Sequence, residues 1–468
     1  MKEVYTLRLK ILHTNDIHGH LDHWPLISKF IEENQALASV KGEALLTIDV
    51  GDAMDSVHPL VEATYGKVIV DLFNEANYDV VTLGNNEGLN FSKERLSDLY
   101  DRADYSVTIA NLFDKDTKEV PSYAENIVYK EIDDMKVAFI GLTAPYETYH
   151  LNGYTIENPI DSLQDTLQLI DQEDTDLIIL LSHLGLETDR YIANLFPEIQ
   201  LIIGAHTHHV LIEGEWENQS FLCAAGKYGN FVGSIDLYFD QATDTWQMSA
   251  EVLSIHQLSQ RYNLPKESDY YKHEGTKLLE ERRVAHIPET FQALQTTGSN
   301  SFIQMALNAI IEATRVENAI LSSGLFLSDL PRGLITEYHL HEALPHPMHL
   351  AVVEMSGVHL KEMLAEMSQQ ADDLRYKLIN GLGFRGKIFG ELIFKGIAYD
   401  ELNLQWEVNG EAIIDDRHYQ FVTVDHIWFL PFFPTISDYG DPKLIFPDFL
   451  RHTVRNYLEK TYPIEGGK

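Results

Sequence analysis

Five short apolar runs, each closed by small or polar residues, constrain this chain more than any other feature. Leu7–Leu12 leads into Asp16-Ile17-His18 and Leu45–Val50 into Gly51-Asp52. Val80–Leu83 leads into Gly84-Asn85, Leu177–Leu181 into Ser182-His183, and Leu201–Ile203 into Gly204-Ala205-His206-Thr207-His208. Runs bounded this way read as buried strands. In a sheet covered on both faces, ligands collect beyond the carboxyl ends of the strands. Segments distant in sequence are therefore expected to converge at one rim.

Between these runs lie helix-like segments. Tyr65–Asn77 carries Val68, Ile69, Leu72 and Phe73 at helical spacing, and Asp161–Gln172 carries Leu163, Leu167 and Ile170. Further strand-like runs are Ser106–Ala110 and Lys136–Leu142. This alternation predicts an α/β layered domain over residues 1–258. Near 221–239 the pattern becomes period-2 around Gly226, Gly229 and Gly233, as in an antiparallel hairpin. Residues 259–294 are charged and read as a mainly helical linker, and 295–468 as an α+β domain. That domain is expected to open on a helix capped by Ser299 or Asn300 and running through Thr314. Strands at Ala319–Leu321 and His349–Met355, a helix at Leu360–Met367, and strands at Ile388–Phe394 and Tyr419–Val424 follow.

Composition narrows the partners. The chain has 468 residues, of which 44% are hydrophobic, enough for two or three domains with a large core. Its 35 basic and 72 acidic residues give a net charge of −37. That field repels polyanions and argues against long nucleic acid. A small phosphate substrate stays compatible with it, because bound dications dominate the local field. The apolar runs fall well short of the roughly 18 residues that span a bilayer, so no membrane partner is expected. The N-terminal stretch alternates charged and apolar residues, unlike a secretory signal. The one cysteine, Cys223, cannot form an internal disulfide, which favours the cytoplasm.

The polar clusters carry the chemistry. Asp and His suit divalent Zn, Mn, Fe or Co, and two such ions can clamp the attacking and leaving oxygens of a phosphoryl group. Such a pair needs a bridging carboxylate, for which Asp52 after Gly51 is suited, and ligands particular to each ion. Asp16, His18, Asn85, His183, His206 and His208 fill that inventory. In His206-Thr207-His208 the spacing of an extended segment places both imidazoles on one side. A structural zinc site is closed and four-coordinate, and this ligand set is too large for one.

ILHTNDIHGHL, TIDVGDAMDS, LGNNE, LLSHLG and IIGAHTHH resemble, in order, the motif set of calcineurin-like metallophosphoesterases, and more narrowly the 5′-nucleotidase family. AILSSGLFLSDLPRGLITEYHLHEALPHPMHLA continues the resemblance into the second half. The resemblance implies a four-layer α/β/β/α sandwich followed by an α+β 5′-nucleotidase-type C-terminal domain. It implies Asp16, His18 and His208 on one metal, Asn85, His183 and His206 on the other, and Asp52 bridging. The activity implied is hydrolysis of phosphomonoesters, nucleoside 5′-phosphates foremost, by direct attack of a metal-bridging hydroxide. Alternatives are a 2′,3′-cyclic-nucleotide phosphodiesterase, a nucleotide-sugar hydrolase, or a catalytically weak metal-dependent nucleotide-binding protein.

Several positions depart from that family. It reads G-N-H-E with an Asp three positions after the His, and here these are Asn86 and Leu89. Asn86 can donate a hydrogen bond to a phosphoryl oxygen but is no acid. His20 or His209 is the candidate to act in its place, His20 being taken with Asn86 and Asp52 as a catalytic group. The family's substrate-clamping Arg positions fall at Phe326, Pro288 and Gln292, and an Asn at Ser322. Its two stacking Phe fall at His346 and near His426. Phe384 and Arg385, between glycines, and Phe429 and Phe432, in a Pro-rich loop, are the candidates to rebuild a substrate pocket.

Overall fold

All five apolar runs are strands in the computed structural model, which describes residues 8–133, 135–171, 174–240, 245–379, 381 and 383–464. They are Arg8–Thr14, Ala44–Asp49, Val80–Thr82, Leu177–His183 and Leu201–Gly204. Leu7, where the first run begins, and Gln172, where one helix was expected to end, lie outside the described residues. The chain divides into two compact units, Met1–Gly275 and Thr276–Lys468.

The first unit holds two six-stranded sheets. One runs, by spatial order, through Thr245–Ser254, Phe231–Asp240, Arg8–Thr14, Ala44–Asp49, Val80–Thr82 and Ser106–Thr108. The other runs through Glu215–Glu217, Ser220–Cys223, Leu201–Gly204, Leu177–His183, Met135–Thr143 and Ile127–Ile132. Alternation along each strand sorts side chains between layers. Leu177, Ile179 and Leu181 join Leu9, Ile11, Ile48 and Val80 in the cluster between the sheets. Ile178 and Leu180 instead meet Leu163, Leu167 and Ile192 from the outer helices. Trp24, Ile27, Phe30, Ile69 and Phe73 cover the other outer face. The order helix, sheet, sheet, helix is thus a four-layer sandwich, as expected.

Residues 221–239 do not form the expected hairpin. Ser220–Cys223 pairs parallel with Leu201–Gly204 in one sheet, while Phe231–Asp240 pairs with Arg8–Thr14 and Thr245–Ser254 in the other. Period-2 alternation continues across Gly226 and Gly229, but those glycines carry the chain from one sheet to the other. Residues 259–294 contain the helix Tyr270–Glu281 but also the strand Arg283–Ile287, paired with Gly333–Thr336.

The second unit is built on a five-stranded sheet ordered Leu392–Lys395, Ala319–Ser322, His418–Val424, His349–Ser356 and Asp441–Phe449. Helix Phe302–Thr314 is capped by the Ser301 side chain, which accepts from Gln304 N, and not by Ser299 or Asn300. Its apolar face, with Phe302, Ile303, Leu307 and Ile310, is buried. The strand expected from Ile388 starts only at Leu392, because Ile388 bridges Leu378 in a separate turn.

Candidate functional site

Every candidate metal ligand of the first unit sits at or just past the carboxyl end of a strand. His183 is the last residue of its strand, and the others follow by two to four residues. Reaching the rim requires unusual backbone. Asp16, His18, Asp52, His206 and His208 all have positive φ, between 49° and 71°. Non-glycine residues pay about 1 kcal/mol or more each for this, and such strain gathers at functional sites. Hydrogen bonds between loops hold it in place: Asp16 N to Gly51 O at 2.9 Å, His18 N to Asp52 O at 2.8 Å, and Tyr228 N to Asp16 O at 2.7 Å. Gly51 and Gly84 let two of the loops touch. A Cβ on Gly51 would fall 2.1 Å from Gly84 N, and one on Gly84 would fall 2.1 Å from Asp52 Oδ1.

The side chains converge. Asp16 Oδ1 lies 3.6 Å from His18 Nε2, 3.4 Å from His208 Nε2 and 3.9 Å from His183 Nε2. Asp52 Oδ2 lies 3.4 Å from His183 Nε2 and 3.7 Å from His18 Nε2. Asp16, His18 and His208 form one group able to hold a cation, and Asp16, Asp52 and His183 another. Asp16 thus stands in both groups, where the resemblance gave the shared position to Asp52 alone. His206 lies beside His183, ring centroids 5.2 Å apart, and its N–H donates to Asp16 Oδ2 at 3.0 Å.

Unpartnered atoms test whether a cation fits. Asp16 Oδ1, Asn85 Oδ1 and His183 Nε2 are buried and find no hydrogen-bond partner among the described residues. Leaving such atoms unsatisfied costs about 1–3 kcal/mol each. A divalent ion bound at about 2.1 Å would hold its ligand atoms about 3.0–3.5 Å apart, near the spacings seen. His183 Nδ1 donates to Val50 O at 2.7 Å, which turns the lone pair of Nε2 toward the carboxylates. The residues present fit divalent metal.

Electrostatics agree. Burial pushes the Asp16 carboxyl up, but His18, His208 and His183 outweigh it and hold Asp16 below the ordinary range. Asp52 is likewise lowered, burial being overcome by His183 and His18. Burial would lower His183, yet Asp52, Asp16 and the Val50 carbonyl raise it to about 10.

Around this rim, Asn86 is half-buried and held by three hydrogen bonds. Its amide lies 2.8 Å from His18 Nδ1, its N–H donates to Asp52 Oδ1 at 2.8 Å, and it accepts from Asn85 Nδ2 at 3.1 Å. Leu89 packs on the helix-side apolar cluster. His20 lies against Tyr228, centroids 4.2 Å apart, and Tyr228 in turn meets His18 at 5.6 Å. Two residues were missed from sequence. Glu87, fully buried, accepts from Asp52 N, Met54 N and Gly84 N at 3.0 Å each. Burial, reinforced by Asp52, raises it to about 7. Its place in LGNNE was visible; its use was not. Tyr228 gave no periodic signal; its N–H bond to Asp16 O and the pairing of Asn15 with Gly226 and Ala225 bring it near.

In the second unit Phe384 is 4% exposed and stacked between His346 and His426. Arg385 is half-buried and donates its N–H to His346 Nδ1. Phe429, exposed, stacks on Trp428, and Phe432 meets Phe389 edge-on.

Comparison with known proteins accords with this reading. Residues 9–210 match the calcineurin-like phosphoesterase family and 283–428 the 5'-nucleotidase C-terminal domain. The chain is 32% identical over 457 residues to the uncharacterized metallophosphoesterase YunD of Bacillus subtilis, covering 95% of this chain and 97% of that protein. It is 26% identical over 247 residues to the 5'-nucleotidase of Homo sapiens, covering 49% of this chain and 42% of that one. Its fold is similar to the NAD nucleotidase NadN of Haemophilus influenzae, with a TM-score of 0.60, 17% identity, and 97% and 96% of the two chains covered. The chain belongs to the calcineurin-like metallophosphoesterases of the 5′-nucleotidase family, hydrolases of phosphoric esters.

Proposed function

We propose that this chain is a two-metal phosphomonoesterase. The carrying observation is the set of unpartnered buried atoms, Asp16 Oδ1, Asn85 Oδ1 and His183 Nε2, among ligand atoms 3.4–3.9 Å apart. Asp16, His18 and His208 would hold one ion and Asn85, His183 and His206 the other, with Asp52, and on this geometry Asp16 also, shared between them. Bound there, divalent metals supply a water acidic enough to act as nucleophile at neutral pH and neutralise charge on the phosphoryl oxygens.

The protein's own groups set the conditions for that step. Val50 O fixes the His183 ring, and Asn86 fixes the His18 ring. Glu87 ties down the loops that carry Asp52 and Asn85. Neither Asn86 nor Leu89 supplies a proton, so esters with good leaving groups are favoured. A nucleotidase among the relatives supports nucleoside 5′-phosphates as one substrate class. A single cysteine, buried as Cys223, supports a reducing, cytoplasmic compartment.

The test is hydrolysis of p-nitrophenyl phosphate by protein stripped with chelator and reloaded with Mn²⁺, with bound metal counted by mass spectrometry. Two ions per chain and turnover that depends on them are expected. The replacement of the family's acid dyad by Asn86 and a core-packed Leu89 favours a second reading, metal-dependent nucleotide binding without turnover. That reading wins if the fully loaded protein hydrolyses nothing above buffer while Asp52→Asn abolishes nucleotide binding.

A further inference from the structure

Three rings in the second unit form a stack that the proposed hydrolysis does not use. The Phe384 ring centroid lies 5.1 Å from that of His346 and 5.2 Å from that of His426, and both pairs are within 12° of parallel. These values fall in the offset-stacked range.

The outer rings are placed by the sheet. His346 precedes strand His349–Ser356 and His426 follows strand His418–Val424, and the antiparallel pairing of Leu350 with Val424 brings those two ends side by side. His346 is fixed in its plane, since Nε2 donates to Leu325 O at 2.8 Å and Nδ1 accepts from Arg385 N at 2.9 Å. Burial keeps it neutral, lowering it to about 3.

The middle ring is placed by a turn. Gly381 and Gly383 have φ of +84° and +74°, and Phe384 N donates to Gly381 O at 3.0 Å. Gly386 gives the ring room, because a Cβ there would fall 2.8 Å from Phe384 Cε1 and Cζ.

A phenylalanine that only filled core would need no polar flanks. Two buried imidazoles carry a desolvation cost that aliphatic neighbours would avoid. Parallel heterocycles on both faces are instead the way a flat aromatic ligand is held. Here the protein supplies that ligand itself.

We propose that Phe384 is the internal occupant of a flat-ring slot between His346 and His426, and that its ring keeps a nucleobase out of that slot.

The experiment uses full-length wild type, Phe384→Ala and Phe384→Val, each checked for a cooperative melt. Adenosine, which carries no phosphate, is titrated into each by calorimetry. Wild type is expected not to bind it at millimolar concentration, and the ring-less variants to bind at least about tenfold more tightly, the scale of one base stack. Adenosine binding by wild type that the variants lose would make Phe384 a stacking platform and overturn the proposal. Folded variants that bind no adenosine, or the failure of both to fold, would make the ring plain core and overturn it equally. A wild type that hydrolyses no ester removes the phosphatase reading while leaving the calorimetric result standing.

Discussion

The metal rim of the first unit and the ring stack of the second are both made where strand ends meet, yet the rim's ligand atoms and the stack's His346 nitrogens are treated in opposite ways. At the rim, Asp16 Oδ1, Asn85 Oδ1 and His183 Nε2 are buried without a hydrogen-bond partner. In the stack, both nitrogens of His346 are hydrogen-bonded and its face is covered by Phe384. The rim costs strain and desolvation that a bound cation offsets; the His346 face is covered by the protein's own ring. A site that needs particular ligand atoms keeps them. A site that needs only a shape can be filled from within and change its specificity.

On that contrast, substitutions at the rim lower the turnover of every ester alike, and substitutions in the stack change what the slot binds. Asp52→Asn should have the largest effect. It removes a charge that His183 and His18 face at 3.4 and 3.7 Å. A loss of about 10³-fold or more in kcat, with reduced metal content, is expected with p-nitrophenyl phosphate and with AMP. Unequal losses on the two substrates would break the contrast.

Glu87→Ala comes next. It leaves three backbone N–H groups, of Asp52, Met54 and Gly84, without their acceptor. At about 1–3 kcal/mol per unsatisfied group, a melting temperature lower by many degrees and an activity loss on the order of 10²-fold are expected. Glu87→Gln should recover only part, because its NH₂ meets donors. A Gln variant equal to wild type in both readouts would show that the loops hold Asp52 without this carboxylate.

The rim was legible in sequence and the stack was not, for a physical reason. Asp16, His18, Asp52, Asn85, His183, His206 and His208 each follow a run whose apolar character makes it a strand, so their order in the chain already placed them at one edge. Metal chemistry then restricted their types. Glu87 was missed because a carboxylate accepting backbone N–H groups has no composition of its own; its partners are defined only once the loops meet. His346, Phe384 and His426 stood in the sequence as an altered pair of positions and an aromatic between glycines. Nothing in their spacing said that the aromatic would lie between the pair, since that depends on the pairing of Leu350 with Val424. The hairpin expected at 221–239 failed similarly, because strand periodicity does not name the sheet a strand joins.

Asn86→Ala probes how far the rim depends on the hold over His18. Losing the amide 2.8 Å from His18 Nδ1 frees that ring without removing a ligand. A drop of about tenfold in activity at limiting Mn²⁺ is expected, recovered by excess metal. A loss that excess metal does not restore would return Asn86 to direct contact with the substrate.

The smallest effect tests the stack's surroundings through pH. Asp425 is buried beside His426 and accepts from His349 N at 3.1 Å. Burial raises its carboxyl to about 7, against which the His349 and His426 N–H groups work. Its folded value therefore lies above its unfolded value of about 4. The folded state binds the extra proton between these values, so the stabilising contribution is full below pH about 4 and is lost as pH rises toward 7. At about 1.4 kcal/mol per unit, the loss is a few kcal/mol. Asp425→Asn keeps the carbonyl acceptor and does not titrate. It should match wild type in stability near pH 4 and exceed it at pH 8. Urea unfolding at the two pH values reads this directly, and an equal difference at both would mean that the carboxyl is ionised throughout and that the second unit, like the first, holds a buried charge.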